Sequence, residues 1–344
     1  MPSPLLHPQE FVAAVRKLIA RWGVDVLLPI SEPSLLALLP ERATLGADLP
    51  FPELAQFERI CDKPQVMEAA EAVGIAVPTQ LRLDSPAGSA ALQDAGLRFP
   101  IVLKPARSVI SMNGRRAKSA VVHVAERAAL QRALAAIPEA AYPVLAQERI
   151  VGPGIGVFLL LWDDEVRAIC GHRRLREKPP AGGVSVLRES VMPDAALIEK
   201  SRALLKSFGW RGVAMVEYKQ DALTGTPYLM EINGRFWGSL QLAIDAGVDF
   251  PALLLAVARG EAFAPVHTFR AGVRSRWFLG DVDHLLARLR RSREALALGP
   301  DAPGRIGAVL DFLRGFGPGN RGEVFRVSDP MPAIREALDW SMGR

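Results

Sequence analysis

The stretch Gly212–Gly238, GVAMVEYKQDALTGTPYLMEINGRFWG, decides the reading of this chain. Two apolar-rich runs, Val213–Lys219 and Pro227–Asn233, flank a turn-rich segment with Asp221, Thr224 and Gly225, which is the signature of a β-hairpin. Strand side chains alternate between faces, so Glu217 shares a face with Met215 and Lys219, and Glu231 shares one with Asn233. Folding about Leu223–Thr224 sets Glu217 across from Met230 or Glu231, with Arg235 just beyond. Two carboxylates this close repel unless a cation lies between them. Hard oxygen donors in small number suit Mg²⁺, which keeps waters and takes further ligands from phosphate. A solvated strand face, with the glutamates paired to Lys219 and Arg235, accounts for the hairpin equally well when it stands alone.

The chain has 344 residues, enough for two or three domains, with 49% hydrophobic and 23% charged residues, the balance of a globular protein. The net charge of +5 fits an anionic small substrate. No basic block carries interleaved aromatics, and the run Arg288–Arg293 reads as a solvated amphipathic helix face, so nucleic acid is not an expected partner. Cys61 and Cys170 are too isolated for a disulfide framework or a zinc site. His7, His123, His267 and His284 lack metal-ligand spacing. The longest apolar run, Ile155–Trp162, is a buried strand and not a membrane span, and the N-terminus has no signal-peptide pattern. The expected compartment is the cytoplasm, with no membrane partner.

Along the chain, periodicity predicts a helix over Pro8–Ala20, a buried strand over Val24–Ile30 and a short helix at Ser34–Leu39, with Pro50–Pro52 as a linker. A helix over Asp62–Val73, with Pro64 in its first turn, ends at Gly74. Strands follow at Phe99–Lys104, Ser119–Val124, Val144–Glu148, Ile155–Trp162 and Glu165–His172, with a polar loop over Ala106–Lys118 and a helix over Glu126–Ala136. Beyond Glu261 a strand is expected at Arg274–Gly280, then helices at Asp281–Leu296, Ile306–Phe316 and Met331–Met342.

In this order the motifs resemble the ATP-grasp superfamily, of which biotin carboxylase and D-alanine–D-alanine ligase are members. The resemblance runs from about Gly23 to Gly260. Asp62-Lys63 opening a helix, and Phe99-Pro-Ile-Val-Leu-Lys104-Pro105, match the two lysine positions that contact ATP phosphates. Residues 107–118, RSVISMNGRRAK, match the loop that closes over the triphosphate, where Ser108, Ser111 and Asn113 with Gly114 offer donors. Leu145-Ala-Gln147-Glu148-Arg149-Ile150 matches the hinge strand, with backbone for the adenine edge and Glu148 for a polar contact. His172–Lys178 matches a cationic segment beside the γ-phosphate and acceptor; Arg173 and Lys178 are favoured there, while His172 and Arg174 stand level between that role and a solvated loop. Glu217, Glu231 and Asn233 match the magnesium ligands, and Arg235 the group that binds phosphate or substrate carboxylate. Gly234 stands where the family commonly has Pro. Trp237 reads as packing.

The resemblance implies an α/β fold, with two α+β subdomains gripping ATP. The expected units are a partial nucleotide-fold-like α/β domain at 1–62, a lid-bearing subdomain at 63–147, a metal-binding subdomain at 148–260 and a C-terminal extension at 261–344. By the arithmetic of a βαβ unit, roughly fifty residues of the first domain are missing, through a mis-assigned start or a trimmed domain. The implied activity is ATP-dependent ligation of a small-molecule carboxylate to an amine through an acyl phosphate. ATP is bound with Mg²⁺, for which Mn²⁺ can substitute. The alternatives are a small-molecule kinase of the same fold and a nucleotide-binding protein without turnover. Dimers are common in the family, which leaves a homodimer open.

Overall fold

The computed structural model describes every residue except 87, 89–91, 93, 94, 113, 114, 181, 300, 301, 318 and 344, and only the backbone of 111, 112 and 115. Two antiparallel sheets dominate. The smaller has the order β1 (Gln80–Leu83), β6 (Val144–Glu148), β2 (Ile101–Pro105), β5 (Val122–Val124). Its core joins Ile101, Leu103, Val144 and Ala146 to Leu130 and Leu134, which α5 (Arg127–Ala135) places on one face at helical spacing. The larger sheet runs β11 (Pro227–Asn233), β10 (Gly212–Gln220), β7 (Gly154–Trp162), β8 (Glu165–Lys178), β9 (Val184–Ser190), β12 (Arg274–Arg276), β13 (Asn320–Gly322). Only the last pair is parallel.

The larger core collects α1 (Pro8–Trp22), α2 (Glu32–Leu38), α3 (Leu54–Cys61), α4 (Lys63–Ala72) and α6 (Ala195–Ser207) around that sheet, with Phe57, Met67, Leu204 and Phe158 all under 2% exposed. α4 therefore packs with the helices before it. Asp62 caps α4 by accepting from the Gln65 N–H at 3.3 Å, and the Lys63 N–H donates to the Ala106 carbonyl at 2.9 Å. Those two bonds fix the first turn of α4 beside the end of β2. α7 (Leu240–Ala246) and α8 (Phe250–Ala258) pack on the same core. No single helix is long and apolar enough to cross a membrane among the described residues.

Several expectations need correction. Val24–Ile30 is extended but forms only one bridge, Val26 with Asp48, because no strand of either sheet lies beside it among the described residues. The segment 106–118 is a hairpin, β3 (Val109–Met112) with β4 (Arg115–Lys118), and not an open loop; Asn113 and Gly114 lie outside the described residues. β8 continues through the expected cationic loop to Lys178 because β9 pairs with it along His172–Lys178. Beyond Glu261 the strand stops at Arg276, and α9 runs Phe278–Arg290, starting and ending earlier than expected. Helix α3, for which the sequence carries no expectation above, starts at a capping box between Glu53 and Gln56.

One feature of β7 prepares the site. Gly154 and Gly156 face the same side at period two. A Cβ on Gly156 would lie 2.8 Å from both His172 Nε2 and the Phe158 ring, and one on Gly154 would lie 2.6 Å from Arg174 Cδ. The missing side chains let His172 and Arg174 of β8 lie flat across β7 toward β10. Gly156→Ala should therefore cost about 1–3 kcal/mol by overpacking between two packed rings. Gly154→Ala should cost less, because the Arg174 stem can shift. Denaturant midpoints of the two variants check this, and equal losses would contradict it.

Candidate active site

A cavity of about 530 Å³ opens between the two sheets. One wall is the smaller sheet with the start of α4, carrying Lys63, Lys104, Gln147, Glu148 and Ile150; the floor is β10–β11 with Glu217, Lys219, Glu231, Asn233 and Arg235. The far wall, on β8 and β9, carries His172, Arg174, Glu177 and Arg188.

The hairpin has the expected register: Glu217 lies directly opposite Glu231, and Met215 opposite Asn233, with a bulge after Glu217. Asn233 Nδ2 donates to Glu231 Oε1 at 3.0 Å, and Arg235 Nη2 donates to Asn233 Oδ1 at 2.9 Å. Arg174 Nη2 meets Glu217 Oε2 at 2.5 Å. Withdrawal from solvent pushes the Glu217 carboxyl up, as does the Glu231 charge, in spite of Arg174. Burial pushes Glu231 the same way, but Lys63, the Asn233 amide, Lys104 and Arg235 together hold it below the usual carboxylate range. Facing like charges of this kind call for a cation. Two carboxylates and an amide oxygen are a hard, incomplete donor set, and no cluster of three or more His, Cys, Asp or Glu occurs among the described residues. The set fits an ion such as Mg²⁺ that completes its shell with phosphate and water.

Across the cavity, Lys104 is pulled down to about 8 by burial, with Lys63 pushing the same way and Glu231 resisting. Lys63 Nζ donates to Ser108 Oγ at 3.1 Å, tying the base of the β3–β4 hairpin to α4. On β6, Gln147 is buried, with Nε2 bonded to Gln80 Oε1 at 2.6 Å and its own Oε1 without a partner. Glu148 is engaged by Arg98 through the side chain at 2.9 Å and through the Arg98 N–H at 2.9 Å. The Arg98 side chain is 84% exposed, so this contact is a surface one that a ligand can replace.

The structure thus brings together Lys63, Lys104, Gln147, Glu148, Ile150, Glu217, Glu231, Asn233 and Arg235, with Ser108 touching Lys63. It places Arg173 and Lys178 elsewhere. Alternation on β8 turns His172 and Arg174 to the cavity and Arg173 to the opposite face, where it pairs with Glu189 at 3.0 Å. Bulges after Arg174 and Arg176 change the phase, so Glu177 faces the cavity while Lys178 pairs with Asp283 and lies over the Trp277 ring. Arg188 escaped the sequence reading altogether. Its only signal there is a lone cation directly after the run Val184–Leu187, on a strand whose partner the sequence does not reveal.

The cavity's far end holds His172, whose Nδ1 lies 2.9 Å from Ser239 Oγ, and whose ring stands edge-on to Phe158. Burial, then Arg174 and Arg188, keep this imidazole well below its ordinary range, so it is neutral. Trp237 stacks on Phe158 at 4.2 Å, the packing role expected for it.

Residues 141–279 match the profile of a family described as ATP-grasp in the biosynthetic pathway with Ter operon. No curated protein sequence matches the chain. Among solved structures, similar folds include an L-amino acid ligase from Bacillus licheniformis (20% identity, 72% of this chain and 59% of that one, TM-score 0.55). A biotin carboxylase from Campylobacter jejuni in a β-γ-ATP complex aligns at 17% identity over 76% of this chain and 60% of its own, TM-score 0.61. An N5-carboxyaminoimidazole synthetase from Staphylococcus aureus complexed with ADP aligns at 13% identity over 76% of this chain and 67% of its own, TM-score 0.58. The chain spans about three fifths of the first two. With two sheets closing on a cleft of this composition and these matches alongside, the chain has the fold of ATP-grasp proteins.

Proposed function

We propose that the protein is an ATP-dependent ligase that joins a small-molecule carboxylate to an amine through an acyl phosphate. The observation that carries this is the convergence of Glu217, Glu231 and Asn233 on one patch of floor, with Lys63 and Lys104 in the wall above and Arg235 beside them. The grip on ATP would come from two units, about 63–147 and 148–260, with residues 1–62 packed behind them and 261–344 closing the far end.

Mg²⁺, held by Glu217, Glu231 and Asn233, would neutralise charge on the β- and γ-phosphates. Lys63 and Lys104 supply the cations on the other side of the same phosphates, Lys63 positioned by Ser108. The backbone of Gln147–Ile150 takes the adenine edge, and Glu148 turns from Arg98 to the ribose. Arg235 orients the acceptor carboxylate for in-line attack on the γ-phosphorus. A carboxylate oxygen forms the new P–O bond, the bond to the β-phosphate oxygen breaks, and ADP leaves. An amine then attacks the acyl carbon and phosphate departs. This sequence of steps needs no protein nucleophile; the residues position the reactants and meet the developing charge. Of the β8 cations, Arg174 rather than Arg173 or Lys178 faces that charge.

The reading is tested by thermal unfolding with and without MgATP. At a hundredfold excess over Kd, ligand should add about 2.7 kcal/mol of stability, dependent on Mg²⁺ and lost in Glu231→Gln and Lys104→Ala. A Mg²⁺-independent shift, or none in folded protein, would sink the reading; hydroxylamine trapping over carboxylate pools then separates a ligase from a kinase, which yields no trappable acyl group.

Lys104 gives a pH signature. Its folded pKa of about 8 lies below the ordinary 10.5, so between those values the unfolded chain binds more protons. Its contribution to the stability of the unliganded protein therefore rises with pH across that window. Bound triphosphate favours charged Lys104, so ATP affinity should fall as pH rises above about 8, by up to about tenfold per unit. The two trends should oppose each other in the native chain and both vanish in Lys104→Met; parallel trends would show that another group titrates.

A further inference from the structure

The far wall contains more hydrogen-bonding capacity than the reaction above uses. His172 is 1% exposed, Arg188 2% and Trp237 4%, and all three line the cavity. Among the described residues His172 Nε2, Arg188 Nε and Trp237 Nε1 have no protein partner, and neither does Arg174 Nε beside them. The tautomer of His172 follows from its neighbour: the Ser239 hydroxyl has no other partner among the described residues, so it donates to Nδ1 and leaves the proton on Nε2. All four free positions are then donors. An unmet buried donor is destabilising, and four gathered at one end of a cavity point to a group that only accepts.

The charges say that this group is an anion. Arg174, Arg188 and Lys219 stand on this side, and Arg174 is shared between Glu217 and Glu177. Lys219 also pairs with Glu177, at 3.0 Å, and Arg188 pairs with Glu323. Once Glu217 turns to a cation on the floor, three cations face only Glu177 and Glu323, and one positive charge is left.

Position separates this end from the reacting centre. Glu231, Glu217, Gly156 and His172 are successive register partners across β11, β10, β7 and β8. At about 4.8 Å per strand, the His172 backbone lies about 10 Å from that of Glu217. Between them Gly156 carries no side chain, and the His172 ring lies over it with Nε2 toward β10, so the imidazole spans part of this row and a short acyclic chain on its cavity side spans the rest.

We propose that His172, Arg188 and Trp237 form a subsite for a second acid group of the acceptor, one that is recognised and not activated. Resting on the ligase reading, this makes the substrate class a short diacid, or a carboxylic acid ending in a phosphoryl group, rather than a monocarboxylate.

The test is calorimetric titration of the full chain, with and without saturating MgADP. Succinate, glutarate and adipate are compared with butyrate, valerate and hexanoate, and 3-phosphonopropionate is added to the series. The best diacid should bind at least tenfold tighter than its monoacid partner. Trp237→Phe, which removes one N–H and keeps the ring packing, should lower that ratio several-fold, and Arg188→Met about tenfold. Tighter binding of the phosphonate than of glutarate would support the same subsite with a phosphoryl group as its natural occupant. Diacids and monoacids binding alike, or not at all, would overturn the subsite even where MgATP stabilises the protein. A diacid preference in protein that MgATP fails to stabilise would instead uphold the subsite and remove the ligase reading.

Discussion

Everything in the cleft is arranged around two carboxylates that should not be neighbours. Glu217 and Glu231 are directly opposite on adjacent strands, the pairing at which side chains on one face come closest. In solvent such a pair would be mildly unfavourable; walled in by protein it raises one partner's pKa. The chain answers with cations drawn from four separate elements: Lys63 from α4, Lys104 from β2, Arg174 from β8 and Arg235 just after β11. No local stretch of sequence could supply them, so the electrostatics of the hairpin depend on the whole closure of one sheet over the other. The same closure explains Lys104. A lysine carried inward on an apolar strand resists charging, and its proton is retained by Glu231 on the far side of the gap.

The C-terminal extension belongs to this arrangement. Asp281, fully buried, accepts from Arg176 Nε at 2.7 Å and from Arg276 Nε at 2.7 Å, clamping α9 to β8 and β12. Asp283 takes Lys178, and Glu323 takes Arg188. The contacts to Arg176 and Lys178 engage the C-terminal half of β8, away from His172 and Arg174, while Glu323 pairs with Arg188 at the cavity wall itself. Residues 261–344 therefore hold Arg176 and Lys178 outside the cleft and contribute Glu323 to its far wall.

How much of this could be read from the sequence follows from the range of each interaction. The hairpin, its turn and its register were legible because alternation and turn residues are local properties, and Glu217, Glu231, Asn233 and Arg235 lie within nineteen residues of one another. The strands that carry Lys104 and Gln147 were legible for the same reason. The phase of β8 was not. Five of the seven residues from His172 to Lys178 are cationic or histidine, so no apolar alternation marks the inward face, and two bulges reset the count. The favoured pair, Arg173 and Lys178, fell on the outer face as a result. Val24–Ile30 shows the opposite failure, an apolar run with strand composition but no strand to pair with.

Arg174 joins these strands of the argument. Its guanidinium meets Glu217 and Glu177 at once, and its stem lies over β7 where the strand carries glycine at 154. A buried ion pair of this kind gains little net stability, since desolvation offsets most of the attraction. Its consequence is orientation. With the Arg174 head fixed at the floor, Arg188, its register partner on β9, is the next cation out along the far wall. Lysine at either position would present a point charge without the fork that allows Arg174 to span two carboxylates. The geometry of the cleft thus rests on a residue whose neighbours in sequence, Arg173 and Leu175, face away from it.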